Sequence, residues 1–449
     1  MKNDTIAAIS TALGQSAISI VRMSGDEVFN ILNNVFSKRD LAGEKSHTIH
    51  YGHILDGDKK IDEVLVSIFK KPKSFTTEDM VEINCHGGTF VARKILELLL
   101  RNGARLAEQG EFTERAFYHG RIDLTQAESV LDMIEARSDH ALTLANKGLD
   151  GEIYELIQSL RQKLLNIIAN IEVNIDYPEY DDVEMLTDSV LLPRIEKLLK
   201  EVKHILNKAR VGRIIKEGIK TVIIGRPNVG KSSVLNALLR EEKAIVTEIQ
   251  GTTRDTVEGE INIGGVILKL IDTAGIRDSD DLIENIGIKK AKQMIAEAEL
   301  ILYVLNNNEP LSKDDEKLLE MTRHKKRIVI INKIDLESKI QRRFENSVQI
   351  SALKKTNIEA LEKKIESLFL KGEINIDDQA LLSNARHIAK MHDVFRHLED
   401  ALKAAQNYEP VDIIEIDLKS AWEILGDIIG ETKNTALLDE LFSKFCLGK

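Results

Sequence analysis

Cysteine is nearly missing from this chain: two in 449 residues, Cys85 and Cys446. That excludes a disulfide framework. Aromatic residues make up only 4%, so the cores are expected to be aliphatic and helix-rich. Positive charge is in deficit, with 62 Lys and Arg against 73 Asp and Glu and a net charge of −11. This argues against general electrostatic binding of nucleic acid, although a local basic patch can still hold a specific RNA. No run approaches the ~20 apolar residues that span a bilayer. The opening "MKNDTIAAISTALG" lacks the apolar stretch and cleavage site of a signal peptide. The expectation is a cytoplasmic protein with no membrane partner.

What is present falls into zones. The length corresponds to roughly three domains at ~150 residues each. Residues 1–118 mix strand signals ("SAISIVRMSG", "EVLVSIFK", "DMVEINC") with the helical "TFVARKILELLLRNG", an α/β or α+β pattern, of which α+β is the expectation. Residues 119–215 are helical, with Ile153, Leu156, Ile157, Leu160, Leu164, Ile167, Ile168 and Ile171 on one stripe. Residues 216–373 alternate strand and helix, the pattern of a doubly wound, mostly parallel sheet. Residues 374–449 are helical again. Each helical zone is amphipathic and needs a partner, so the two are expected to pack as one split bundle with the α/β unit inserted between them.

The inserted zone carries the chemistry. "TVIIGRPNVGKSSVLNALL" is strand, glycine loop and helix, and Gly225 to Ser232 fit G-x-x-x-x-G-K-[ST]. Backbone N–H groups of such a loop turn inward around phosphates, and the following helix adds its positive end. Asn228, Val229, Gly230, Lys231, Ser232 and Ser233 are the candidate phosphate contacts. Lys231 reaches the terminal phosphates and the Ser232 hydroxyl ligates Mg²⁺. "LKLIDTAG" ends a second strand and supplies Asp272 for the Mg²⁺ shell, with Thr273, Ala274 and Gly275 beside the γ-phosphate. "RIVIINKID" ends a third, with Asn332, Lys333 and Asp335 at its edge. Asp335 can accept two hydrogen bonds from the N1–H and amino group of guanine, a donor pair adenine lacks. Ser351 and Ala352 of "VQISAL" can donate backbone hydrogen bonds to guanine O6. "GTTRD" lies where a loop brings Thr253 to the metal. All these segments sit at carboxyl ends of strands, where open α/β sheets bind ligands. The expected ligand is GTP.

The residue after "DTAG" is Ile276, where the Ras type has a glutamine that orients water. Ile276 cannot hydrogen-bond water, so another group must. Glu284 in "IRDSDDLIENIG" is the candidate; the alternative is that these acids are solvated switch charges.

With "GRPNVGKSS", "GTTRDTVEG", "DTAGIR", "FTTEDMVEINCHGG", "EFTERAFYHGRIDLTQAE" and the ending "FCLGK", the chain resembles the tRNA modification GTPases of the MnmE (TrmE) family over nearly its whole length. The resemblance implies an N-terminal tetrahydrofolate-binding and dimerisation domain (1–118), a split helical domain (119–215 and 374–449) and an inserted Ras-like G domain (216–373). It implies a homodimer whose GTPase needs K⁺, held by Asn228 with Thr247, Ile249 and Thr252, and Mg²⁺ held by Ser232 and Thr253. Thr247 and Thr252 count among the nucleotide-binding residues, and Glu284 falls at the water-orienting position. Asn228, Lys231 and Glu284 are thus the catalytic candidates. A folate derivative of the 5-formyl or methylene type is implied at Arg22, Glu82, Arg121 and Lys449. A carboxylate such as Glu82 suits the paired N–H donors of a pterin, and basic groups suit a glutamate tail or a formyl oxygen. The bland alternatives are surface ion pairing for Arg22 or Arg121 and a strand-edge charge for Glu82.

The family works with the FAD-dependent partner MnmG, in a heterotetramer or larger complex. FAD belongs to that partner only. With tRNA bound transiently, the pair modifies C5 of the wobble uridine to a carboxymethylaminomethyl or aminomethyl form, using a one-carbon unit and GTP hydrolysis. Competing readings are a ribosome-assembly or regulatory switch without small-molecule chemistry, and a scaffold that nucleotide merely stabilises. The chain departs from the family in "STALGQSAIS", which lacks the usual proline and extra glycines, and at Asn306, where aspartate is common. "CHGG" is expected to be a strand-to-helix turn, Trp422 packed core, and the Cys446 tail a segment folded back onto an N-terminal domain, its own or a twin's.

Overall fold

A computed structural model describes residues 4–37, 40–176, 187–239, 259–271, 293–370, 382–432 and 435–449. The chain divides into two compact units. One comprises Met1–Leu131, Leu149–Ser159 and Leu425–Lys449; the other comprises Asp132–Gly148 and Leu160–Ile424.

The first unit is built on a six-stranded sheet of order β3-β4-β5-β2-β1-β6. Its strands are β1 (Ile6–Ile9), β2 (Ile18–Ser24), β3 (Thr48–Asp56), β4 (Lys59–Phe69), β5 (Met80–His86) and β6 (Arg105–Leu106). The pairs are antiparallel except β1 with β6. Period-two alternation sorts the side chains. In β5, Val81, Ile83 and Cys85 are buried, while Glu82 and Asn84 are part-exposed on the other face. The buried face packs against the helices Val28–Val35 and Thr89–Arg101. The chain's last helix, Thr435–Phe442, belongs here too: Leu438, Phe442 and Phe445 share a core with Phe117, Leu124 and Ala127. The helical zones are thus shared between the units, because these apolar side chains find their partners beside the sheet.

In the second unit, strands β7 (Ile219–Ile224), β8 (Gly259–Ile263), β9 (Val266–Leu270), β10 (Leu300–Asn306), β11 (Arg327–Asn332) and β12 (Ser347–Gln349) form a sheet of order β12-β11-β10-β7-β9-β8. Only β8 runs antiparallel to its neighbour. The central strand β10, "LILYVLN", is buried along its full length, as a parallel strand covered on both faces must be. The long helices Leu192–Glu217 and Ala385–Gln406 of this unit pack on each other. The predicted stripe of the helix Glu152–Asp176 is buried at Ile153, Ile157, Leu160, Leu164, Ile167, Ile168 and Ile171. Trp422 is part-buried, with the Arg161 guanidinium 4.2 Å above its ring.

Candidate functional site

The glycine loop follows β7 directly. Gly225 (φ 154°) passes so close to β10 that a Cβ there would lie 2.4 Å from the Val304 carbonyl oxygen. Gly230 (φ 96°) leaves no room either, since its Cβ would sit 2.3 Å from Asn332 Nδ2. The helix Lys231–Leu239 starts at once, so its unpaired N–H groups face the loop. Lys231 Nζ donates to the carbonyls of Gly225 (3.1 Å) and Arg226 (2.9 Å). Ser232 and Ser233 are exposed at the helix start, and Asn228 is exposed with φ 61°.

The segments around Asn332 and Ser351 are tied to that loop. Asn332, 2% exposed at the end of β11, donates to the Val229 carbonyl (3.0 Å) and accepts from the Ala352 N–H (3.0 Å). Lys333 Nζ donates to the Asn228 carbonyl at 2.8 Å. The Ser351 hydroxyl donates to Asp335 Oδ1 at 2.6 Å. That bond holds the Asp335 carboxyl below the usual range, keeping it an acceptor. Asn332 is therefore a strut: one side chain fixes the glycine loop and the loop carrying Ser351. Asn306 folds into its own turn, donating to Glu309 and accepting from the Asn308 N–H. Thr247, Ile249, Thr252, Thr253, Asp272, Thr273, Ala274, Gly275 and Glu284 lie outside the described residues.

The first unit contains a cavity of about 700 Å³ lined by Arg22, Glu82, Arg121 and Lys449 among others. Four residues distant in sequence meet there. Arg22 on β2 and Glu82 on β5 are cross-strand partners, and Arg22 Nε and Nη2 both donate to Glu82 Oε1 (3.0 and 2.7 Å). Glu82 Oε2 accepts no hydrogen bond among the described residues. Arg121 donates to the Phe75 carbonyl (2.7 Å), its guanidinium 4.9 Å from the Phe75 ring centre.

The tail completes the wall. Leu447 bridges to Gln109, the Phe112 N–H donates to the Lys449 carbonyl (3.2 Å), and Arg22 Nη1 donates to the Gly448 carbonyl (3.1 Å). Gly448 (φ 95°) passes the backbone of Ile9 so closely that a Cβ would lie 2.6 Å from its carbonyl oxygen. Burial, reinforced by the Arg22 charge, holds the Lys449 ammonium below the ordinary lysine range. The tail thus lies on the chain's own N-terminal unit, and Cys446 is exposed at its turn.

Sequence reasoning missed other wall residues, among them Phe75, Thr77 and His119. Their signal lay in "FTTED" and "FYHGRID", where no spacing rule assigns them roles. His119 Nδ1 lies 2.6 Å from the Thr76 carbonyl and so fixes the Phe75–Thr77 wall. "CHGG" is the turn between β5 and the helix at 89–101, with His86 Nδ1 2.7 Å from Asp62 Oδ1. Burial, then the Asp62 charge, pushes the Cys85 thiol up to about 11, leaving it unreactive.

Residues 5–121 match the family model "GTP-binding protein TrmE N-terminus" and residues 124–446 match "MnmE helical domain". A tRNA modification GTPase MnmE of Lactococcus lactis subsp. cremoris is 52% identical over 99% of this chain and 98% of its own. Those of Bacillus cytotoxicus and Enterococcus faecalis are 49% and 50% identical, each over 100% of this chain and 100% and 99% of their own. The chain belongs to the tRNA modification GTPase MnmE family.

Proposed function

We propose that this chain, a tRNA-modifying GTPase by family, acts with MnmG to modify C5 of the wobble uridine to carboxymethylaminomethyl- or aminomethyl-uridine, drawing on a folate one-carbon unit and GTP hydrolysis in the cytoplasm. The observation that carries the folate part is the convergence of Arg22, Glu82, Arg121 and Lys449 on one cavity. Its volume of about 700 Å³ lies within the range of small-molecule sites. Glu82 Oε2 is an acceptor for the N–H donors of a pterin, Phe75 offers a flat wall for a ring, and Arg121 and Lys449 offer cations for a glutamate tail or a formyl oxygen.

At the nucleotide site, Asp335 reads guanine, while Lys333 and Asn332 brace the loop. Lys231 exchanges its loop carbonyls for phosphate oxygens. Ser232 and Thr253 would hold Mg²⁺, and Asn228 with Thr247, Ile249 and Thr252 would hold K⁺. The Asn228 side chain fits that part, being exposed and without a hydrogen bond among the described residues. These cations supply positive charge opposite the phosphates, the charge an arginine finger brings elsewhere. Glu284 would accept a hydrogen bond from the attacking water and orient it. The same outward sheet face that bears Arg22 and Glu82 exposes Ile49 (66%), Tyr51 (61%) and Leu65 (46%). An apolar patch on a sheet face supports pairing of two copies there.

The direct test is mass spectrometry of tRNA nucleosides from a strain lacking the chain. Unmodified wobble uridines are expected; a normal profile would reject the reading. Hydrolysis should be far slower in Na⁺ than in K⁺, and equal rates would remove the K⁺ role from Asn228.

A further inference from the structure

We propose that the outward side of the helix Leu192–Glu217 is a phosphate-binding surface for the tRNA. This rests on the reading above that tRNA is the substrate, and it assigns where the RNA backbone is held. The helix carries eight lysine or arginine residues against three glutamates, in a chain whose net charge is −11.

The distribution is one-sided. Ile195, Leu198, Val202, Ala209 and Ile215 are buried on the packed side, while Arg194, Lys197, Lys200, Lys203 and Arg210 are exposed and Lys208 is part-exposed. Lys197, Lys200, His204 and Lys208, spaced three and four apart, share one side. Lys203 and Arg210, two turns apart, run along its flank. From Arg194 to Arg210 the row is about 24 Å long at ~1.5 Å per residue, enough to follow several phosphates.

Several cations of other exposed helices here are paired along their own helix, Lys94 with Glu97, Lys317 with Asp314, Arg396 with Asp393, Lys403 with Asp400 and Lys419 with Glu415, while Arg93, Lys313 and Lys363 stand singly without an ion pair among the described residues. A solvated charged face is ordinarily built in that way. On the helix at 192–217, Arg213 and Lys216 near its end are paired, with Glu299 and Asp132. Upstream, Lys200 has Glu196 at 3.9 Å. Arg194, Lys197, Lys203, Lys208 and Arg210 form no ion pair among the described residues. Like charges held side by side without partners cost stability and contribute nothing to the packed side, so a polyanion is the ligand that accounts for them. RNA fits, because contacts to its backbone need cations along a line and no base readout.

The test uses the full chain and a fluorescent, unmodified tRNA transcript, titrated over a series of salt concentrations. The variant K197Q/K200Q/K203Q/K208Q should bind at least ~10-fold more weakly at low salt. Its slope of log affinity against log salt should be shallower by about 3, from ~0.7–0.9 per lost contact. Its GTP hydrolysis should stay at the wild-type rate, which also reports that it is folded. Arginine at the same four positions should keep both affinity and slope. Wild-type affinity and slope in the glutamine variant would overturn the proposal, as would weakened binding to MnmG with tRNA binding intact. These failures are separable from failure of the functional reading, which is decided by the wobble uridines of the strain lacking the chain.

Discussion

The described segments proposed to bind nucleotide are short, contiguous and at strand ends, and backbone and amide bonds hold them in place. In the N-terminal pocket Arg22, Glu82, Arg121 and Lys449 come from two strands, a turn and the tail. There, side-chain charge and a folded-back segment do the holding. The contrast separates two ways of preparing for an anion. A phosphate loop needs N–H groups at fixed spacing, and local sequence encodes that. A pocket for a larger, mixed ligand needs functional groups at fixed positions in space, and only the tertiary fold encodes those.

Breaking the base contact should give the largest effect. If Asp335 reads guanine as proposed, Asp335→Ala removes two charge-assisted hydrogen bonds, so GTP affinity should fall by ~10²–10⁴-fold, while folate binding stays at its wild-type value. Calorimetric titration of both ligands checks this; a loss of both would mean that the sites are not independent.

Next comes the ion network behind the pocket. Arg115, 7% exposed, donates to Asp4 Oδ1 (2.8 Å), Glu78 Oε1 (3.0 Å) and Glu111 Oε1 (2.9 Å). Arg115→Met leaves Glu78 without its ion pair and Asp4 and Glu111 with Arg105 alone, and should destabilise the first unit by about 3 kcal/mol. The bond from Arg105, against the cost of burial and with help from Arg115, keeps the Asp4 carboxyl below the usual range. A lowered carboxyl contributes stability above its unfolded value and loses it as pH falls through the folded one. The gap between wild type and variant should therefore close in acid. Unfolding curves from neutral pH to about pH 3 measure it; a gap that widens in acid would contradict the sign.

Asn332→Ala should cost less, about 2 kcal/mol of stability from two lost buried bonds, together with roughly 10-fold in nucleotide affinity. It sharpens the comparison, because a strut that orders two loops should change affinity more than a simple base contact of the same size. Equal affinity in the variant would reduce Asn332 to packing.

Legibility followed the same division. The alternation of strand and helix and the nucleotide segments could be read from "GRPNVGKSS" and "NKID", because glycine spacing and strand-end placement are local. The Asn332 bridge could not, since it joins residues about a hundred positions apart. Glu82 and Arg22 were reachable only through family resemblance; nothing in "MVEINC" or "IVRMSG" reports that the two strands are neighbours in register. Phe75 and His119 were invisible for the same reason. The sequence places Cys446 in a tail expected to fold back, and the contacts of Leu447 and Gly448 show that tail shaped to seat Lys449 in the wall.

The most direct measurement is equilibrium binding of 5-formyltetrahydrofolate to the full chain and to a chain ending before Cys446, with GTP binding followed in parallel. Loss of folate affinity by an order of magnitude or more, with nucleotide affinity unchanged, is the predicted result. Undiminished folate binding without the tail would contradict a cavity whose wall the last residues complete.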